Sequence, residues 1–174
     1  MDMTRNMGVR HLFLTGEKGI GKSTVLRSLL SEREGELGGF RTVRVLCPGG
    51  GTVHILPAVG ESRCTEENRL FTKRSGIADI DPARFARLAC PFLAPEEGKS
   101  LLLMDELGPW DGEVEAFHRA VLSCLEGERR VYGVLQWGES SFLDEIRAHP
   151  RVEVVTVTAE NRDTLPGLLS AQGW

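Results

Sequence analysis

One run of eight residues carries the strongest chemical signal in this chain: Gly16-Glu17-Lys18-Gly19-Ile20-Gly21-Lys22-Ser23. Its spacing is G-x-x-x-x-G-K-[ST], the pattern of a loop that grips phosphate. Glycines let the backbone curl until its N–H groups converge on phosphate oxygens. A helix starting directly afterwards adds positive potential at its N-terminus. The Lys22 ammonium can then reach β- and γ-phosphates, the Ser23 hydroxyl is a ligand for Mg²⁺, and Thr24 adds a phosphate contact. Lys18 reads as a solvated side chain.

A second signal lies downstream in Leu101-Leu102-Leu103-Met104-Asp105-Glu106. An apolar strand that ends in an acid delivers a carboxylate to the edge where open α/β sheets bind ligands. There Asp105 would hold Mg²⁺, directly or through water. Glu106, beside the metal, can accept a proton from an attacking water and orient it. The plainer alternative for Glu106 is a surface cap or ion pair.

These groups need elements to position them. Short apolar runs alternate with amphipathic segments, the pattern of β-α units around a parallel sheet. His11–Thr15 reads as a buried strand running into the glycine-rich turn, and Lys22 to Glu32 as a helix with Val25, Leu26, Leu29 and Leu30 inward. Phe40–Leu46 and Thr52–Leu56 read as a hairpin insertion whose loop, Pro48-Gly49-Gly50-Gly51, is wider than the two-residue kind. Glu61 to Gly76 reads as a long charged surface segment. Asp81 and Pro82 start a helix as N-cap and first residue. Ser100–Met104 is a central strand, Glu113 and Glu115 sit favourably at the start of the next helix, and Val131–Leu135 is a strand. Ser141 can cap a helix to about Ala148; Val152–Val157 is the last strand, and a final helix ends near Ala171. The predicted fold is α/β: a three-layer sandwich with a mainly parallel central sheet flanked by helices, plus the β-hairpin insertion. It occupies one domain over residues 1–174, with an N-terminal tail at 1–10.

The order of these motifs resembles the small P-loop nucleoside-triphosphatase family of bacteria, archaea and animals, the cancer-related nucleoside-triphosphatase group. The resemblance runs from about His11 to Leu169 and rests on several further matches. Gly39-Phe40-Arg41-Thr42 is similar to the family's G-F-x-T, and Arg74-Ser75-Gly76 to its R-V-G. Asp105-Glu106-Leu107-Gly108 is similar to its D-E-I-G, and Thr158-Ala159-Glu160-Asn161-Arg162 to its T-x-E-N-R. The resemblance implies slow, fairly unspecific hydrolysis of nucleoside triphosphates, ATP and GTP among them, with Lys22, Ser23, Asp105 and Glu106 as the working set. Arg74 is a candidate for stabilising charge on the transferred phosphoryl group, or else a solvated loop arginine. Asn161 and Arg162 could contact the base, or serve as a cap and a surface pair. The chain departs from the family pattern at Val43-Arg44, at Ala78 and at Pro109-Trp110-Asp111.

Bulk composition bounds the alternatives. With 174 residues and 41% hydrophobic side chains the chain is long and apolar enough for one core. A net charge of -4 with no basic run argues against nucleic acid as a partner. Nothing reads as a signal peptide or membrane span. Cys47, Cys64, Cys90 and Cys124 lack zinc spacing and read as buried reduced thiols, which fits a cytoplasmic setting; a monomer is expected, with a protein partner left open. Two other functions share the phosphate grip: a nucleotide or nucleoside kinase, and a regulatory nucleotide-binding module acting on a partner protein. Trp110 and Trp137, near the ligand edge, suit a base platform or a partner contact.

Overall fold

The computed structural model describes residues 8–174, so most of the tail expected at 1–10 lies outside the described residues. Strands β1 (His11–Thr15), β2 (Leu37–Cys47), β3 (Gly50–Pro57), β4 (Arg69–Arg74), β5 (Ile77–Ala78), β6 (Leu101–Leu107), β7 (Arg130–Leu135) and β8 (Val152–Thr156) form one sheet. Their order is β5-β4-β3-β2-β6-β7-β1-β8. From β2 to β8 every pairing is parallel, while β2 to β5 form an antiparallel extension.

Helices cover both faces, because the buried strands present apolar side chains on both. On β1, Leu12 and Leu14 pack towards α1 (Lys22–Leu30) and α5 (Leu165–Ala171), with Val25, Leu26 and Leu169. Phe13, between them, joins the opposite cluster with Phe85 of α2 (Pro82–Ala89), Phe117 of α3 (Glu115–Glu126) and Ile146 of α4 (Ser141–Ala148). β6 divides likewise, with Leu101 and Leu103 on the first side and Leu102 and Met104 on the second. This period of two, with helices on each face, makes the three layers.

Several local expectations change. The hairpin turn is tight: Cys47 pairs with Gly50, leaving only Pro48 and Gly49 between the strands. Gly49 has φ +80° after a proline, the combination a type II turn requires. The charged segment from Glu61 to Gly76 contains β4, which pairs with β3 and buries Leu70. α1 ends at Leu30 and passes into a 3-10 turn over Ser31–Glu36. The cap of α4 is Ser140, whose hydroxyl accepts from the Leu143 N–H at 3.2 Å. Asp81 caps α2 as expected, through the Ala83 N–H at 3.0 Å. None of the cysteines is fully buried, and Cys47 and Cys64 are exposed.

Gly39 is the tightest point between β2 and β6. Its φ is +96°, and a Cβ there would stand 2.1 Å from the Leu103 carbonyl oxygen. Gly39→Ala is therefore expected to destabilise the fold by at least about 2 kcal/mol, combining overpacking with backbone strain. A denaturant midpoint unchanged from the native protein would refute that reading.

Candidate active site

The loop between β1 and α1 has the curl its glycines permit. Gly16 and Gly21 take φ +139° and +109°, conformations that side chains with a Cβ rarely adopt. α1 begins without a side-chain cap and without an acid in its first turn. The first N–H groups of the helix therefore face an open site of positive potential. Gly16 also packs against the chain leaving β8: a Cβ at Gly16 would lie 2.5 Å from the Val157 carbonyl oxygen.

Lys22 is buried beneath this loop, and its ammonium donates to the carbonyls of Gly16 at 2.9 Å and Glu17 at 2.8 Å. Burial lowers its pKa from the ordinary value; Glu106 acts against that shift and Arg44 adds to it. Ser23 reaches past β7, which separates β1 from β6, and donates to Asp105 Oδ1 at 2.7 Å. The Asp105 backbone carbonyl in turn accepts from the Thr42 hydroxyl at 2.5 Å. Burial raises the Asp105 carboxyl to about 6, with the Ser23 hydrogen bond opposing the shift.

Asp105 and Glu106 face different spaces. Asp105 and Ser23 share a small pocket with Arg27 and Arg41. Glu106 lines a larger cavity with Gly16, Lys18 and Lys22. Its carboxylate is paired with Arg44 of β2, Nη2 to Oε2 3.1 Å, and its side chain is 17% exposed. Glu17, Lys18, Gly19 and Thr24 are exposed, and Ile20 is half-buried.

The other sequence candidates stand elsewhere. Arg74 is exposed at the end of β4 and does not line the cavity; its neighbour Lys73 does. The Asn161 side chain closes the β8–α5 loop, accepting from the Thr158 N–H at 2.8 Å and donating to the Thr156 carbonyl at 2.9 Å. Arg162 is exposed beside Asp163, at 3.7 Å. Neither lines the cavity.

Three site residues had no sequence signal of a role. Arg44 lies 62 positions from Glu106, so only strand pairing joins them. Gln136 follows β7 and lines the cavity. Asp111 accepts the Gly108 N–H at 2.5 Å, and burial raises its carboxyl to about 7, with Glu106 adding to the shift. A carboxyl whose folded pKa exceeds its unfolded value favours folding below the unfolded value and loses that contribution as pH rises. For Asp111 the loss runs from about 4 to about 7. Asp111→Asn keeps an acceptor for Gly108, so its melting temperature relative to the native protein should climb across that window and level off above it. A difference independent of pH would show that Asp111 ionises normally.

Comparison with known proteins bears on this assembly. A family model described as NTPase matches residues 11–169. The chain is 30% identical over 164 residues to nucleoside-triphosphatase THEP1 of Methanosarcina barkeri, across 90% of this chain and 93% of that one. It is 27% identical over 184 residues to the human cancer-related nucleoside-triphosphatase, across 90% of this chain and 92% of that one. The crystal structure of THEP1 from Aquifex aeolicus has the same fold, with a TM-score of 0.72 at 21% identity, covering 93% of this chain and 98% of that chain. The match spans the phosphate-gripping loop, the acidic strand end and the elements between them, and the chain belongs to the NTPase family.

Proposed function

We propose that this chain is a Mg²⁺-dependent nucleoside-triphosphate phosphohydrolase that converts a triphosphate and water into the diphosphate and phosphate, with ATP and GTP both accepted. The observations that carry this reading are that Lys22 and Glu106 line one cavity with Gly16, and that Ser23, next to Lys22, donates to Asp105, next to Glu106, at 2.7 Å. Lys22 exchanges its two carbonyl partners for phosphate oxygens, and the loop N–H groups and α1 N-terminus hold the rest of the polyphosphate. Glu106 takes the proton of the attacking water. Arg44 beside it holds the carboxylate in place and is a nearby positive group for charge on the transferred phosphoryl.

The donors suit Mg²⁺. Ser23 and Asp105 offer hard oxygens, and Mg²⁺ takes only one or two protein oxygens where phosphates and waters complete its shell. Among the described residues no group of three or more His, Cys, Asp or Glu builds an all-protein cage. When bound, the ion neutralises charge on the phosphate oxygens. Broad base specificity is supported by Asn161, whose side chain is committed to its own loop. Four unpaired cysteines suit a reducing compartment such as the cytoplasm. Among the described residues no helix is long and apolar enough to cross a membrane.

Phosphate release from ATP, GTP, CTP and UTP, with Mg²⁺ and with a chelator, tests the reading. Release from several triphosphates that stops on chelation is expected; no release from any of them would overturn it.

A further inference from the structure

The cavity beside the phosphate-gripping loop measures about 690 Å³. Gly16, Lys18 and Lys22 line one end, where the polyphosphate sits; an attacking water, about 30 Å³ in the liquid, needs only a small fraction of the remainder. The volume falls instead among pockets that hold small organic ligands, roughly 300–1,000 Å³. From the loop, the cavity runs along the sheet edge past Glu106 to the antiparallel strands and the start of α2, where Val53, Phe71, Ala78 and Phe85 line it. Apart from Ile77 and Leu168, every large hydrophobic side chain left exposed among the described residues lines it: Val45, Leu46, Ile80, Trp110 and Trp137. Trp110 and Trp137 are 57% and 60% exposed. Apolar surface gathered around one cavity marks a ligand site better than scattered exposure does.

In-line transfer puts the attacking and leaving oxygens on opposite sides of the phosphorus. The nucleoside half belongs to the leaving side, and the group that takes the attacking proton belongs to the other. The cavity lies on the side of Glu106. The β8–α5 loop reaches the phosphate-gripping loop from the far side of β1 and contributes nothing to the cavity.

We propose that this cavity binds a second substrate, an uncharged planar aromatic alcohol, whose hydroxyl takes the place of water as phosphoryl acceptor. The proposal rests on the reading of Glu106 as the proton acceptor. The hydroxyl oxygen bonds to the γ-phosphorus, and the bond from that phosphorus to the β–γ bridging oxygen breaks. Its electron pair leaves with the nucleoside diphosphate, the hydroxyl proton passes to Glu106, and a phosphate monoester forms. Trp110 and Trp137 both line the cavity and are exposed, and an aromatic ring that stacks on such a side chain gains affinity whatever its substituents. Away from the loop lysines Lys18 and Lys22, which face the polyphosphate, the charged groups of the cavity are of both signs: Arg44 pairs with Glu106 at 3.1 Å, and Lys73, Asp81 and Asp111 complete the set.

The test uses the full chain with γ-labelled ATP and Mg²⁺, and adenosine, guanosine, cytidine, thymidine and benzyl alcohol at millimolar concentration as probes. One readout is labelled ester separated from free phosphate. The other is saturable tryptophan quenching in the presence of a non-hydrolysable ATP analogue. At least one probe is expected to quench and to become labelled. Trp137→Ala should weaken that probe's binding by about tenfold or more. Ala78→Phe, which fills the cavity, should abolish it. Phosphate release without a probe should stay within about twofold in both variants, since neither residue belongs to the phosphate grip. If no probe quenches or accepts label while phosphate release continues, the acceptor site is refuted and hydrolysis stands. Binding without label refutes the acceptor role, and competition between probe and ATP would make the cavity the site of the nucleotide's own base. Absence of both release and transfer would remove the hydrolase reading itself.

Discussion

Lys22→Ala should raise the dissociation constant for Mg²⁺-ATP by about a hundredfold or more. The ammonium can make two charge-assisted hydrogen bonds to phosphate oxygens, each contributing about 1.5–3 kcal/mol, and 1.4 kcal/mol is a factor of ten. Part of that gain is offset, because Lys22 must first leave the Gly16 and Glu17 carbonyls. Those bonds are themselves to neutral oxygens, so exchanging them for phosphate remains favourable. Removing the side chain also frees two loop carbonyls, which makes Lys22→Arg the informative companion. Arginine restores the charge and not the compact ammonium, and should recover only part of the affinity. Equal affinity in native and Lys22→Ala proteins, by calorimetric titration, would mean that triphosphate does not bind at this loop.

Glu106→Gln separates binding from turnover. Glutamine keeps the size and an oxygen that can accept from Arg44, and loses the basicity. Turnover should fall at least about a hundredfold, the scale of a lost general base, with nucleotide affinity within about threefold of native. The Arg44–Glu106 ion pair has a partner 47% exposed, so its loss costs the fold little. Turnover that persists in Glu106→Gln would place the proton on another acceptor.

The three departures from the family pattern meet in space. Arg44, Ala78, Trp110 and Asp111 all line the large cavity, although they come from segments far apart in the chain. Segments that look unrelated in sequence thus line one cavity.

What could be read from the chain alone follows from how local each feature is. The phosphate-gripping loop is a backbone conformation of eight consecutive residues, so their order suffices to specify it. Asp81 before Pro82 writes a helix start in the same local way, and a continuous apolar run identifies β6 because both its faces are covered. β4 is not legible in the chain, because its sequence, Arg-Leu-Phe-Thr-Lys-Arg, buries only Leu70 fully and ends in exposed charges. An antiparallel strand near a sheet edge needs no continuous apolar signal. The register of β2 against β6 places Arg41 opposite Asp105, so that the Arg44 side chain, a few residues further along β2, closes on Glu106; no spacing within either strand encodes that pair. Nor could composition foresee that exposed Trp110 and Trp137 would share a cavity with Phe71 and Phe85. Short-range geometry shapes the loop at which the proposed phosphate chemistry takes place. Long-range strand pairing settled which charges and rings surround it, because a contact between distant residues depends on the register of every element between them.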